Sequence, residues 1–452
     1  MLVYNPLRHD ARVVRHATAL AESGYPVRVI ATSDGRAPAV EQIGGVTVER
    51  VEADSPPSRV ARRLVAARRR RSGGRGDASP GSVVSADQLH RGARGRALRG
   101  LLAAHLAASW LTFSRNAVAA GLADPADLYV ANDLDTLPAA VALAGRSGAR
   151  LLYDSHELYV EHVGPAGKTR ARRMLQRGAE RRLIGRADAV MTVNQSIAAE
   201  LERRYGIPRP AVVMNVPSRD HRAARAVDLR GELGLGPERR IALYLGGVSP
   251  DRGIEQLVDA ARRLGDVTLV LMGPVEAGYR RGLERRSDGT ARFAEPVPAH
   301  DVVRFAAGAD VGIVPYRNTC LNSYLSLPNK LFEYLAAGLP VVASDFPELR
   351  RIVLEHGVGD TFDPEDAADI ARAIRAVLDD PERHLQLRDR ARQAAEVYSW
   401  ERERPKLLWL VERVIPAQRR ADRAGAPPTR AGSSPSATSR TSSRSAGRSQ
   451  ST

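Results

Sequence analysis

Cysteine is nearly absent, with Cys320 standing alone in 452 residues. A lone thiol excludes an internal disulfide framework and a cysteine-built zinc site, and it fits a reducing, cytoplasmic compartment. Long apolar runs are missing too. No uncharged stretch reaches the roughly 18 residues of a membrane span. The opening Met1-Leu-Val-Tyr-Asn-Pro6 has neither the basic flank nor the apolar core of a secretion signal. A Gly-x-Gly-x-x-Gly fingerprint is also absent after the first strand, which argues against a dinucleotide oxidoreductase. Asp133-Leu-Asp135 has metal-binding spacing, but no histidine cluster accompanies it, and a polar loop yields such spacing by chance. No metal or cofactor is expected.

What is present in excess is positive charge, formally +16. Residues 59–100 carry 12 Arg against 2 Asp, and residues 418–452 carry 7 Arg against 1 Asp, so these two segments hold the whole excess. Both are rich in Gly with Ser or Pro and read as flexible basic segments. The remainder is near neutral, which excludes a basic nucleic-acid platform. Such segments suit a peripheral contact with the anionic inner face of a membrane, about 1 kcal/mol per cation near the surface. An unpartnered solvated linker and tail explain the composition equally.

A hydrophobic content of 43% supports real cores, and the length suits two domains. The first residues read strand (Leu2–Tyr4), helix (Val13–Ser23) and strand (Val27–Ala31). The opening strand is short, so the true start is expected a few residues upstream. Residues 56–100 read as a flexible insertion and Leu101–Ala120 as a helix. That helix could lie on a membrane, but its mostly apolar length suits packing on its own sheet better. Strands and helices then alternate to Met214. A polar linker follows at 216–238, and a second alternating set runs from 239 to 400, with strands at Ile241–Leu245, Thr268–Met272, Val311–Val314 and Val341–Ala343. This pattern implies two Rossmann-like α/β domains with parallel sheets, at 1–215 and 239–400. A helix at 401–416 and a disordered basic tail at 417–452 complete the chain.

Chemistry concentrates in the second half. In Ser326–Ser344, Pro328 opens a helix, Lys330 and Glu333 share a face, and Gly338 and Pro340 end it before a buried strand. A helix N-terminus with a lysine suits a nucleotide phosphate. In Gly246-Gly-Val-Ser-Pro-Asp-Arg-Gly253 two glycines let the backbone approach a ligand, and Arg252 can fork onto a diphosphate. In the first half, His156 follows a strand end beside Asp154 and Glu157, where it could orient a sugar, act as a base, or be structural. Residues His9-Asp-Ala-Arg12 fall in the first strand-to-helix loop, another ligand-binding position.

Together these features resemble the family 4 glycosyltransferases of GT-B fold, in which two Rossmann-like domains face each other across a cleft. Leu327-Pro-Asn-Lys-Leu-Phe-Glu-Tyr-Leu-Ala-Ala-Gly-Leu-Pro-Val-Val-Ala-Ser344 is the specific part, within a subgroup carrying Pro-Asn-Lys-x-x-Glu-Tyr. The resemblance implies sugar transfer from a nucleotide-diphosphate donor, usually with retention and without metal. It implies donor contacts from Gly246, Gly247, Arg252, Ser326, Lys330 and Glu333, with Glu333 on ribose. It implies an acceptor side comprising Asp10, Arg12, His156 and Glu157, and catalytic roles for His156, Arg252 and Lys330. A glycan, lipid-linked or small-molecule acceptor is expected. Two positions depart from the family. Leu325 stands eight residues before Glu333, where a sugar-binding glutamate belongs, and Gly247 replaces an arginine of the phosphate turn. A non-catalytic nucleotide-sugar-binding protein and a sugar-nucleotide epimerase of the same fold are the alternatives.

Overall fold

The computed structural model describes residues 1–8, 10–53, 93–161, 170–222 and 226–415, apart from the side chains of 93–103 and 221–222. The expected tail at 417–452, His9 and most of the expected insertion at 56–100 lie outside these residues. Its last part, from Ala93, forms the start of a long helix.

The first lobe begins with residues Met1–Val3 threaded between two strands, β1 (Arg28–Thr32) and β4 (Leu128–Asn132). Leu2 bridges both in parallel: its amide donates to the Val130 carbonyl at 2.8 Å, and Ile30 donates to the Met1 carbonyl at 2.8 Å. Helix α1 (Ala11–Glu22) follows, capped by Asp10, and buries Val13, Ala17 and Leu20 at helical spacing. A hairpin, β2 (Val40–Ile43) and β3 (Val46–Val51), extends the sheet beyond β1; β3 pairs with β1 in parallel and with β2 antiparallel. On the other side β5 (Arg150–Ser155), β6 (Ala189–Thr192) and β7 (Ala211–Val212) continue from β4 in parallel. The crossovers are helices α2 (Ala93–Ala123), α3 (Leu137–Ser147), α4 (Arg170–Ile184) and α5 (Gln195–Tyr205). Phe113 and Ala117 of α2 are fully buried with Leu2, Leu137 and Tyr153, so this helix packs on its own sheet.

Residues 213–222 and 226–238 are tied down at several points. Val216 and Leu229, the first residue of α6 (Leu229–Glu232), sit in the second lobe's core, and Arg230 pairs with Asp310 at 2.5 Å. The second sheet is six-stranded and parallel: β8 (Arg240–Leu245), β9 (Val267–Met272), β10 (Ala291–Ala294), β11 (Val311–Val314), β12 (Val341–Ser344) and β13 (Gly359–Phe362). Its spatial order, β10-β9-β8-β11-β12-β13, reverses between β8 and β11. Open α/β sheets bind ligands at such a reversal. Helices α7 (Ile254–Ala261), α8 (Ala277–Ser287), α9 (Val302–Ala306), α10 (Leu321–Leu325), α11 (Asn329–Ala336), α12 (Pro347–Glu355), α13 (Ala367–Leu378) and α14 (Pro381–Val397) surround it. Strand β9 is buried at every position, as a central parallel strand must be.

The chain then crosses back. Helix α15 (Trp400–Val414) packs Leu407, Leu410 and Val411 against Leu20, Val130 and Leu152 of the first lobe, and the Trp400 amide donates to the Pro217 carbonyl at 3.0 Å. The fold is therefore α/β with two facing Rossmann-like lobes. The expectation omitted the β2–β3 hairpin, β10, β13 and the helices α6, α10 and α12.

Candidate active site

A cavity of about 440 Å³ opens at the carboxyl ends of β8 and β9, in the second lobe. Its walls include Gly246, Gly273, Tyr316, Asn329, Lys330 and Glu333. The turn after β8 lies against the turn after β9 so closely that a Cβ on Gly273 would sit 2.2 Å from the Gly246 carbonyl oxygen. Gly253 ends the turn at φ 72°, with no room for a side chain beside the Pro315 carbonyl. Gly247 has open space around its Cα, and its carbonyl accepts from the Tyr244 hydroxyl at 2.8 Å.

Lys330 is the most informative side chain. Three of the chain's 68 basic side chains are lysines, and this one is only 8% exposed. It rises from the first turn of α11, with Pro328 at the N-cap and Gly338 left-handed beyond the C-terminus, as the sequence implied. Its ammonium sits 3.8 Å from the Tyr244 ring centroid and 5.4 Å from that of Tyr316, with no carboxylate bonded to it among the described residues. Burial, then the Arg252 charge, push its pKa well below the ordinary value, with Glu333 opposing. The Arg252 guanidinium lies 5.0 Å from the Tyr316 centroid and donates a hydrogen bond to the Tyr316 hydroxyl oxygen. Two basic side chains, Lys330 in the cavity wall and Arg252 on its Tyr316 wall, thus lie at one site, and neither is held in an ion pair among the described residues.

Glu333, one turn along from Lys330, also lines the cavity, and no hydrogen bond holds its carboxylate among the described residues. Burial raises its pKa, while Lys330 and Arg15 pull it down. Arg15 belongs to α1, so the first lobe brings a cation toward the Glu333 carboxylate. The Ser326 hydroxyl is turned back onto the Ser323 carbonyl at 2.9 Å, ending α10 rather than facing outward.

Across the cleft His156 is held by both ring nitrogens. Nδ1 is 3.1 Å from Asp133 Oδ2 and Nε2 is 3.2 Å from Asp154 Oδ2, while the His156 amide donates to Asp133 Oδ1 at 3.0 Å. Burial alone lowers the imidazole pKa, but the Asp133 and Asp154 carboxylates outweigh it and hold the ring well above its ordinary value. With a carboxylate at each ring nitrogen, neither nitrogen is left free to take a proton from a ligand. Asp133 adopts φ 63°, a left-handed conformation that costs a non-glycine residue about 1 kcal/mol.

Arg12 is not on the cleft surface: it is 3% exposed, forks onto Asp154 at 2.7 and 3.0 Å and donates to the Val213 carbonyl. Asp10 accepts from the Val13 amide and from Asn5, so its carboxylate caps α1. Both were expected on the acceptor side, and both are spent within their lobe. Glu157 does reach the cleft, where Asn322 of α10 donates to it at 3.1 Å. Sequence reasoning missed Tyr244, Tyr316 and Arg15. An aromatic two residues before the glycine turn and another two residues beyond β11 were the only local signals for the tyrosines.

Two facing Rossmann-like lobes with a cationic pocket at the strand ends define the GT-B class. Residues 10–217 match the model of a glycosyl transferase 4-like domain, and residues 239–380 match that of the glycosyl transferases group 1. Together the two matches span most of the chain, one on each lobe. Among curated relatives, a D-inositol 3-phosphate glycosyltransferase of Geodermatophilus obscurus is 30% identical over 264 residues, 53% of this chain and 55% of the relative. That of Nocardia farcinica is 28% identical over 238 residues, 49% of this chain and 51% of the relative. The chain thus spans about half the length of the curated relatives it matches. A sucrose-phosphate synthase from Thermosynechococcus elongatus superposes with a TM-score of 0.67 at 20% identity, covering 91% of this chain and 93% of that one. Anabaena HepE, solved with UDP-glucose, gives 0.64 at 15% identity, covering 91% and 98%. At these identities the superpositions show the fold.

Proposed function

We propose that this chain transfers a glycosyl group from a nucleotide-diphosphate sugar to an acceptor held by the first lobe. The carrying observation is Lys330, a buried basic side chain with no ion pair among the described residues, in the wall of a cavity of about 440 Å³ whose Tyr316 wall also carries Arg252. A diphosphate satisfies both cations. Negative charge grows on the diphosphate as the glycosidic bond breaks, so Lys330 and Arg252 stabilise the transition state without a metal. Glu333 accepts from the ribose hydroxyls. Retention is the outcome we favour, because His156, with carboxylates on both ring nitrogens, offers no free base to an acceptor hydroxyl. The acceptor is a glycan, a lipid-linked sugar or a small polyol phosphate. The last is supported by the relatives named for inositol phosphate.

The test is a thermal-shift screen of nucleotide-diphosphate sugars, beginning with UDP-glucose, followed by turnover of the best donor. Lys330→Met keeps the side-chain volume and removes the buried charge. It should leave the ligand-free protein as stable or more so, by about 0.5–2 kcal/mol. It should abolish the donor-induced shift and lower turnover by about a hundredfold or more. Near-normal turnover by Lys330→Met would overturn the assignment. Donor conversion with no acceptor present would instead favour an epimerase.

A further inference from the structure

Segment 320–332 contains no carboxylate, so the donor-side stretch that carries Leu325 has no acid with which to read sugar hydroxyls. The structure shows where Leu325 goes instead. Leu321 and Leu325 of α10 pack on a cluster of Leu158, Ile197 and Leu201 in the opposite lobe, and the Leu325 carbonyl accepts from the Asn194 side chain at 2.9 Å. Helix α10 is thereby turned toward the first lobe.

A carboxylate arrives from that lobe. Asn322, buried at 7% exposure, spends both ends of its carboxamide on one dipeptide. Its Oδ1 accepts from the Leu158 amide at 2.9 Å, and its Nδ2 donates to Glu157 Oε2 at 3.1 Å. The loop bearing Glu157 is stiff: Ser155 Oγ donates to the Glu157 carbonyl at 2.9 Å, and the adjacent His156 is pinned by two carboxylates. The Glu157 charge acts on Asp133 on one side and on Tyr316, the cavity wall beside Arg252, on the other. Glu157 therefore stands where the loop after β5 meets α10, next to His156 and against the segment that runs from Tyr316 of the cavity wall to Lys330.

We infer that Glu157 supplies the carboxylate that recognises the transferred sugar's hydroxyls in this chain, with Asn322 as the residue that positions it. This rests on the reading of the cavity as a nucleotide-sugar site. It divides donor recognition between lobes: the nucleoside diphosphate is held by the second lobe alone, and the sugar is read only when α10 meets the loop after β5.

The experiment compares binding of UDP with UDP-glucose, and GDP with GDP-mannose, by calorimetry on the full chain. The wild type should hold one nucleoside diphosphate and gain affinity from its sugar. Glu157→Gln and Glu157→Ala should bind the bare diphosphate within about twofold of wild type. They should lose about ten- to a hundredfold toward the sugar form, the worth of a hydrogen bond to a charged group. Asn322→Asp, which sets a like charge against Glu157, should show the same selective loss. Equal losses for both ligands, or no loss for either, would overturn the inference. If the alanine variant is unstable, the isosteric Glu157→Gln alone decides the question. If the wild type binds none of the diphosphates while remaining folded, the parent reading fails and this one with it.

Discussion

His156 carries a carboxylate on each side of its ring, and the consequence is a pH dependence with a definite sign. Asp133, Asp154 and Asn132 contact the ring, and the charges of Asp133 and Asp154 raise its pKa well above the ordinary value despite burial. The folded state then binds one proton more than the unfolded chain between the unfolded pKa, near 6.5, and the higher folded value. The contribution is fully present below about pH 6.5 and is lost as pH rises through the folded value. Replacing the ring by His156→Asn should cost about 3–5 kcal/mol at pH 6, since it leaves two carboxylates facing each other. The difference in melting temperature between wild type and variant should narrow steadily from pH 7 toward pH 10. A constant difference over that range would show that the ring is neutral in the folded protein.

Helix α10 is one of the elements through which the lobes meet, and Leu325, which packs there, is where the family resemblance leads us to expect a carboxylate. Leu325→Glu supplies the carboxylate that the resemblance leads us to expect but sets it against Leu158, Ile197 and Leu201. We expect a loss of about 1–3 kcal/mol from desolvating the charge, a larger radius of gyration in small-angle scattering, and weaker rather than stronger donor binding. Tighter donor binding with an unchanged scattering profile would show that α10 is free to turn toward the donor. Elements of this second lobe were legible where local chemistry sufficed: Pro328 and Gly338 bound α11, and uninterrupted apolar runs marked β9 and β12. Strands β10 and β13 were not, because Ala291-Arg-Phe-Ala294 and Gly359-Asp-Thr-Phe362 are short polar-mixed edges whose only warrant is the strand beside them. The β2–β3 hairpin hid for a similar reason: Val40-Glu-Gln-Ile43 is half-exposed and lies at the sheet edge. In the site, Arg252, Lys330 and Glu333 announced themselves through local spacing. The Arg12–Asp154–His156 chain did not, because it joins residues 142 apart that only the closed sheet brings together.

At the scale of the whole molecule, a net +6 of the formal +16 lies beyond Ile415 and is separable from the folded body. Met1–Ile415 is one compact unit, and its last helix, α15, closes the first lobe's core through Leu407, Leu410 and Val411. Ending the chain after Ile415 removes 7 Arg and 1 Asp, a net +6 of the formal +16, without cutting into that core. The truncated protein should therefore melt within about a degree of the full chain and keep its full response to the donor. Binding to phosphatidylglycerol vesicles should weaken, since each lost cation contributes about 1 kcal/mol near an anionic surface. What the full chain shows of such binding should fade between 50 and 300 mM salt, as the screening length falls from roughly 14 to 6 Å. Vesicle binding that survives the truncation unchanged would rule out residues 416–452 as the contact. A fall of several degrees in melting temperature would instead make those residues part of the fold. Cutting before Trp400 is the contrasting experiment: it strips Leu407 and Leu410 from a core that also contains Leu20, Val130 and Leu152. At about 2–5 kcal/mol for each large buried side chain removed, the first lobe should then no longer fold.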